Sequence, residues 1–101
     1  MPNKPSLSEA LKWARQARGL SQEAFSGVSS RTYLSSLERG MKSPTLSKIK
    51  ALCRVLRIHP VTLLTMSFTG GNSKQLTTLQ KRVRREIASL RAPKSRKSVH
   101  T

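Results

Sequence analysis

Residues 20–40 read LSQEAFSGVSSRTYLSSLERG, and this stretch decides the fold. Ser21 can cap a short helix whose first turn holds Gln22 and Glu23, with Ala24 and Phe25 turned inward. Gly27-Val28-Ser29 makes a tight turn. Ser30 is the best cap for a following helix over Arg31–Arg39, with Leu34 and Leu37 as its inner pair and Gly40 as its stop. Arg31, Thr32 and Ser36 then share an outer side. Two short helices around a tight turn form a unit that can lay its second helix in a DNA major groove.

The flanks read as helices too. Residues 1–5 hold two prolines and read as a loose arm. Ser6 or Ser8 can cap a first helix, with Glu9 near its positive end. Leu7, Leu11, Ala14 and Ala17 recur at helical spacing, Gly19 ends the run, and Trp13 lies off the stripe. After the Met41-Lys42-Ser43 loop, Pro44 or Thr45 starts a fourth helix with Leu46, Ile49, Leu52, Cys53 and Leu56 as its buried stripe. Pro60 suits the first turn of a fifth helix, with Leu63 and Leu64 facing in. Residues 69–73, TGGNS, form a linker. Lys74–Arg91 reads as one more helix, whose Leu76, Leu79, Val83, Ile87 and Leu90 make a single apolar seam. Pro93 stops it, and residues 92–101 are a basic polar tail with too few apolar groups to fold alone.

The charge agrees with a polyanionic partner. Twenty Lys and Arg stand against four acidic residues, giving +16 on 101 residues. Such a field captures polyanions and speeds their association. Residues 1–68 hold 11 basic and 3 acidic side chains and residues 69–101 hold 9 and 1, so each part carries +8. The second part packs its charge into half the length, which implies separate duties. Cys53 is alone, so no internal disulfide is available, and it reads as a small buried thiol. His59 and His100 lie far apart with no Cys or carboxylate at ligand spacing, so no metal is expected. No apolar run approaches the roughly 20 residues of a membrane span, and the N-terminus lacks the apolar core of a secretory signal. The expectation is a cytoplasmic, nucleoid-associated protein. No carboxylate pair, nucleophile–base set or phosphate-binding Gly loop is present, so neither enzyme activity nor a cofactor is expected.

The order of signals resembles the Cro and lambda-repressor-like helix-turn-helix family, also called the XRE family. The resemblance is carried by Arg15-x-x-Arg18-Gly19-Leu20-Ser21-Gln22-Glu23, Ser30-Arg31-Thr32-Tyr33-Leu34-Ser35, Leu37-Glu38-Arg39-Gly40 and Ser43-Pro44-Thr45-Leu46. It covers residues 6–68. It implies an all-α, compact five-helix DNA-binding domain, here followed by a basic amphipathic helix and a tail. The chain departs from the family's pattern twice. The turn between Phe25 and Arg31 is about two residues shorter than in many members, with Gly27 a candidate for an unusual backbone angle. Arg57 stands where members often carry Gly, so the fourth helix is expected to end differently.

Candidate roles follow. Arg31 can bond guanine O6 and N7 together, and its competing role is a phosphate contact. Thr32 offers a methyl suited to thymine, and Ser36 a short hydroxyl on the same face. Gln22 can bind phosphate at a helix N-terminus, as the resemblance also implies. Ser30 caps the recognition helix and can touch phosphate. Tyr33 either bonds phosphate or packs on the second helix. Arg39, Lys42 and Ser43 suit phosphate clamps at the far end. The resemblance implies that Glu38 pairs with Arg15 as a partly buried structural ion pair. Three uses compete for residues 74–91: a dimer seam, a helix folded back on the domain, or a basic segment ordered on DNA.

The reading is a bacterial or phage-type transcriptional regulator, a repressor or activator, bound as a homodimer to a palindromic site on double-stranded DNA. The alternative is a DNA-binding antitoxin or other interaction module whose C-terminal helix binds a partner protein.

Overall fold

The computed structural model describes residues 5–92; the arm before Pro5 and the tail beyond Ala92 lie outside the described residues. Within them the chain is helical, with no strand. Its helices are α1 (Leu7–Ala17), α2 (Arg31–Glu38), α3 (Leu46–Leu56), α4 (Pro60–Thr69) and α5 (Ser73–Leu90), with one 3-10 turn at Gln22–Phe25. Two compact units meet between Gly71 and Asn72. The stretch read as a five-residue linker is shorter: Thr69 ends α4 as a buried residue and Ser73 opens α5.

The caps explain where the helices start. The side chains of Ser6, Ser30, Thr45 and Asn72 each accept the backbone N–H three residues on, at 2.9–3.1 Å. Each bond satisfies one of the orphan donors of a first turn. At α4, His59 takes that place through Nδ1, accepting from the Val61 N–H at 3.0 Å, and Pro60 follows as the first helical residue. A proline there gives up only a donor that had no intrahelical partner.

In the first unit α1 packs along α4 and against α2, and the 3-10 turn lies against α2 and α3. The core holds Ala10, Leu11 and Ala14 of α1, Phe25, Leu34 and Leu37 of the motif, Ile49, Leu52, Cys53 and Leu56 of α3, and Leu63 of α4. Burial pushes the Cys53 thiol pKa up, so the sulfur stays neutral among apolar neighbours. Three expected inner positions are corrected. Ala17 and Ala24 are exposed, and Leu46 keeps 62% of its surface. Ala10 takes the inner position that Ala17 was given. Ala24 turns outward because the element that carries it is a single 3-10 turn, so only Phe25 points into the core.

The different ending expected of this helix is not found: Arg57 adopts the left-handed conformation, at φ 60 and ψ 43, and α3 ends as a glycine-terminated helix would. The cost to a non-glycine residue is offset locally. Arg18 donates from Nε to the Leu56 carbonyl at 2.9 Å and from Nη2 to the Arg57 carbonyl at 3.3 Å. A guanidinium on the last carbonyls of a helix satisfies orphan acceptors and meets the negative end of its dipole.

The second unit is α5. Its apolar seam is unburied: Val83, Ile87 and Leu90 are 44%, 49% and 86% exposed, while Leu76 and Leu79 are partly covered. Arg82 and Glu86 pair at 2.9 Å one turn apart on its surface. No helix among the described residues is long and apolar enough to cross a membrane.

Candidate nucleic-acid interface

The recognition helix is set by an ion pair at its base. Arg15 of α1 grips the Glu38 carboxylate with two prongs, Nε to Oε2 at 2.5 Å and Nη2 to Oε1 at 2.9 Å. Its third nitrogen donates to the Leu20 carbonyl at 2.9 Å. The Arg15 and Glu38 side chains are 13% and 5% exposed. The hydrogen bonds that Arg15 donates to Glu38 hold its guanidinium still more firmly protonated than usual. One guanidinium thus ties α1, the entry to the motif and the last turn of α2 together, a geometry that matches its planar fork.

Gln22 joins this network. Its amide nitrogen donates to Glu38 Oε1 at 3.2 Å, and the residue is half-buried. This corrects its expected setting: the element it opens is a four-residue 3-10 turn rather than an α-helix, and part of its amide faces inward. The second amide hydrogen is not used in this bond.

The turn that follows is made of ordinary backbone. The Phe25 carbonyl accepts both the Val28 and Ser29 N–H groups at 2.9 Å. Gly27 is not among the residues with positive φ, so the unusual angle expected of it is not used. Instead Lys48 of α3 reaches across and donates Nζ to the Val28 carbonyl at 2.6 Å, with its ammonium 5.4 Å from the Tyr33 ring centre. The Lys42 ammonium lies 6.0 Å from the same ring. Tyr33 is half-buried against the core with two cations near its ring, a favourable arrangement for an aromatic face.

The outer face of α2 is shorter in polar reach than expected. Arg31, Thr32 and Arg39 are exposed, as are Ser30, Lys42 and Ser43 around them. Ser36 is corrected as a base contact. It is 7% exposed, and its hydroxyl donates to the Thr32 carbonyl at 3.0 Å. A short side chain that is buried and bonded to its own helix does not reach a groove. Ser35, one turn after Arg31, is partly exposed and lies between Arg31 and Thr32 in azimuth, so it completes the outer face. Ser30 keeps its hydroxyl hydrogen free of the cap, since the oxygen is the acceptor there.

Three contributors were not singled out from sequence. Lys48 lies off the buried stripe of α3, and no local pattern marks its reach to Val28. Ser35 was passed over because i,i+4 spacing from Thr32 pointed to Ser36. Glu23 stands 3.6 Å from Arg31 Nη1 across the turn, both side chains being largely exposed.

An all-helical domain whose second and third elements form this unit, with its outer face basic, defines the helix-turn-helix class of DNA-binding domains. A family model described as Helix-turn-helix matches residues 11–63, just over half of the chain. The chain belongs to that family, the Cro and lambda-repressor-like helix-turn-helix regulators. It is accordingly a DNA-binding transcriptional regulator. Neither the curated proteins nor the solved structures gave a match.

Proposed function

We propose that this protein regulates transcription by sequence-specific binding to duplex DNA, and that binding itself is the mechanism, with no catalytic step. The observation that carries the reading is the outer face of α2, where exposed Arg31, Thr32 and partly exposed Ser35 stand on a helix locked from behind by Arg15 and Glu38. Arg31 and Thr32 read base edges, Arg31 by a two-pronged bond to guanine and Thr32 by methyl contact with thymine. Ser30, Arg39, Lys42, Ser43 and the outer hydrogen of Gln22 hold phosphates and set the register. The protein works in the cytoplasm on the nucleoid of a bacterium or phage-infected cell.

A homodimer on a palindrome is the natural geometry, with half-sites about one helical turn apart. The exposed apolar side chains Val61 and Phe68 on α4, and Val83, Ile87 and Leu90 on α5, are surfaces that pairing would cover. The charge of α5 favours a second reading. Its segment 74–91 carries six basic residues against Glu86 alone, so two copies repel while an acidic partner protein would not. That is the arrangement of a regulator that is also an antitoxin or adaptor.

Selection of bound duplexes from a randomised pool tests the function. A two-fold symmetric motif is expected. Enrichment of no motif at moderate salt contradicts specific recognition, and a stoichiometric small acidic partner in the purified protein would favour the second reading.

A further inference from the structure

We infer that Glu23 is a specificity-determining residue: it buttresses Arg31 and commits that guanidinium to a base rather than to a phosphate. The inference rests on the duplex-binding function proposed above. Glu23 Oε2 lies 3.6 Å from Arg31 Nη1, across the turn that joins the two halves of the motif. The side chains are 74% and 69% exposed. Exposed pairs add little to stability, so this one is poorly explained as a fold-holding contact. Residues 20–40 contain only two acidic side chains, Glu23 and Glu38. Glu38 is buried and bonded to Arg15 and Gln22. Glu23 is therefore the one negative charge offered to solvent on a motif that otherwise presents Arg31 and Arg39, with Lys42 just beyond it.

That placement has two consequences. A guanidinium has five donors on a planar fork, and a carboxylate at one terminal nitrogen leaves other N–H groups for guanine O6 and N7. The second consequence is repulsive. A phosphate that approached Arg31 would also approach Glu23, and like charges disfavour that pose. A guanine edge carries no net charge and meets no such penalty. Glu23 thus removes the competing phosphate role of Arg31 and lowers affinity for DNA of arbitrary sequence.

The test compares the parent, Glu23→Gln, Arg31→Ala and the double variant. The probes are the duplex enriched by the parent from a randomised pool, single-base-pair variants of it, and a random-sequence duplex, each titrated across salt. Glu23→Gln is expected to melt with the parent. It should bind the random duplex about three- to tenfold more tightly and steepen its log–log salt slope by about 1, as Arg31 falls onto a phosphate. Its preference at the one base pair whose discrimination Arg31→Ala abolishes should fall by a similar factor. In the Arg31→Ala background, Glu23→Gln should change no base preference. Unchanged preferences and salt slope in Glu23→Gln overturn the inference. So does a preference that Glu23→Gln still alters in the Arg31→Ala background, which would make Glu23 a base reader itself. If the parent enriches no duplex at all, the functional reading falls and this inference with it.

Discussion

At the residue scale, position in the network decides what each polar side chain does. Glu38 sits at the end of a DNA-facing helix, yet it is buried and takes both prongs of Arg15. Its role is to hold α2 against α1. Glu38→Gln leaves Arg15 without its counter-charge, and breaking a buried pair typically costs about 3–5 kcal/mol. For a domain of this size that lowers Tm by about 12 °C or more, read by thermal denaturation. Well below its new Tm the variant should keep the parent's base preferences. A variant that melts like the parent but loses site binding would show that Glu38 acts at the DNA. The pairing was legible because the resemblance supplied it; charge and spacing alone do not join residues 23 positions apart. Ser36 was misread for the opposite reason. The i,i+4 rule put it beside Thr32, but that rule does not say where the surface of the domain lies, and Ser36 is beneath it.

At the element scale, most caps and stripes were readable, although Ser21 makes no side-chain cap bond and Ala17 and Leu46 lie outside the core. Ser6, Ser30 and Thr45 start helices as capping chemistry dictates, and Leu34 with Leu37 turns α2 inward. The 3-10 turn was less legible. Four residues give no periodicity, so Gln22–Phe25 could not be told from a short α-helix, and the inward role given to Ala24 failed with it. The shortened connection to α2 is held by a long-range contact, Lys48 to the Val28 carbonyl, rather than by a glycine angle. Arg57 is the reverse case, where a left-handed site is kept by a non-glycine residue. Arg57→Gly should relieve that strain while retaining the backbone carbonyl that Arg18 holds. The net gain, after the entropy glycine adds to the unfolded chain, is about 0.5–1 kcal/mol. Chemical denaturation should show a higher midpoint with an unchanged slope. A lower midpoint would mean that the Arg57 side chain contributes contacts that outweigh the strain.

At the scale of the whole molecule, charge divides the labour. The first unit carries the helix-turn-helix motif, and half of the net charge lies in residues 69–101. Charge was fully legible from sequence, but the use of the α5 seam was not, because an amphipathic helix looks alike whether its use is to meet a copy of itself, to meet another protein or neither. Residues 92–101 add Lys94, Arg96 and Lys97 without any base-reading pattern. Their deletion should weaken binding by a similar factor on every duplex and flatten the salt slope by up to about 3. Loss confined to one sequence would assign the tail a reading role instead. On the function proposed above, the exposed face of α2 discriminates among sequences while the surrounding cations bind all of them. The most direct measurement is the affinity ratio between the selected duplex and a random duplex at moderate salt. A ratio of about 10³ or more is expected, carried in large part by Arg31. A ratio near one, unchanged by Arg31→Ala, would contradict it.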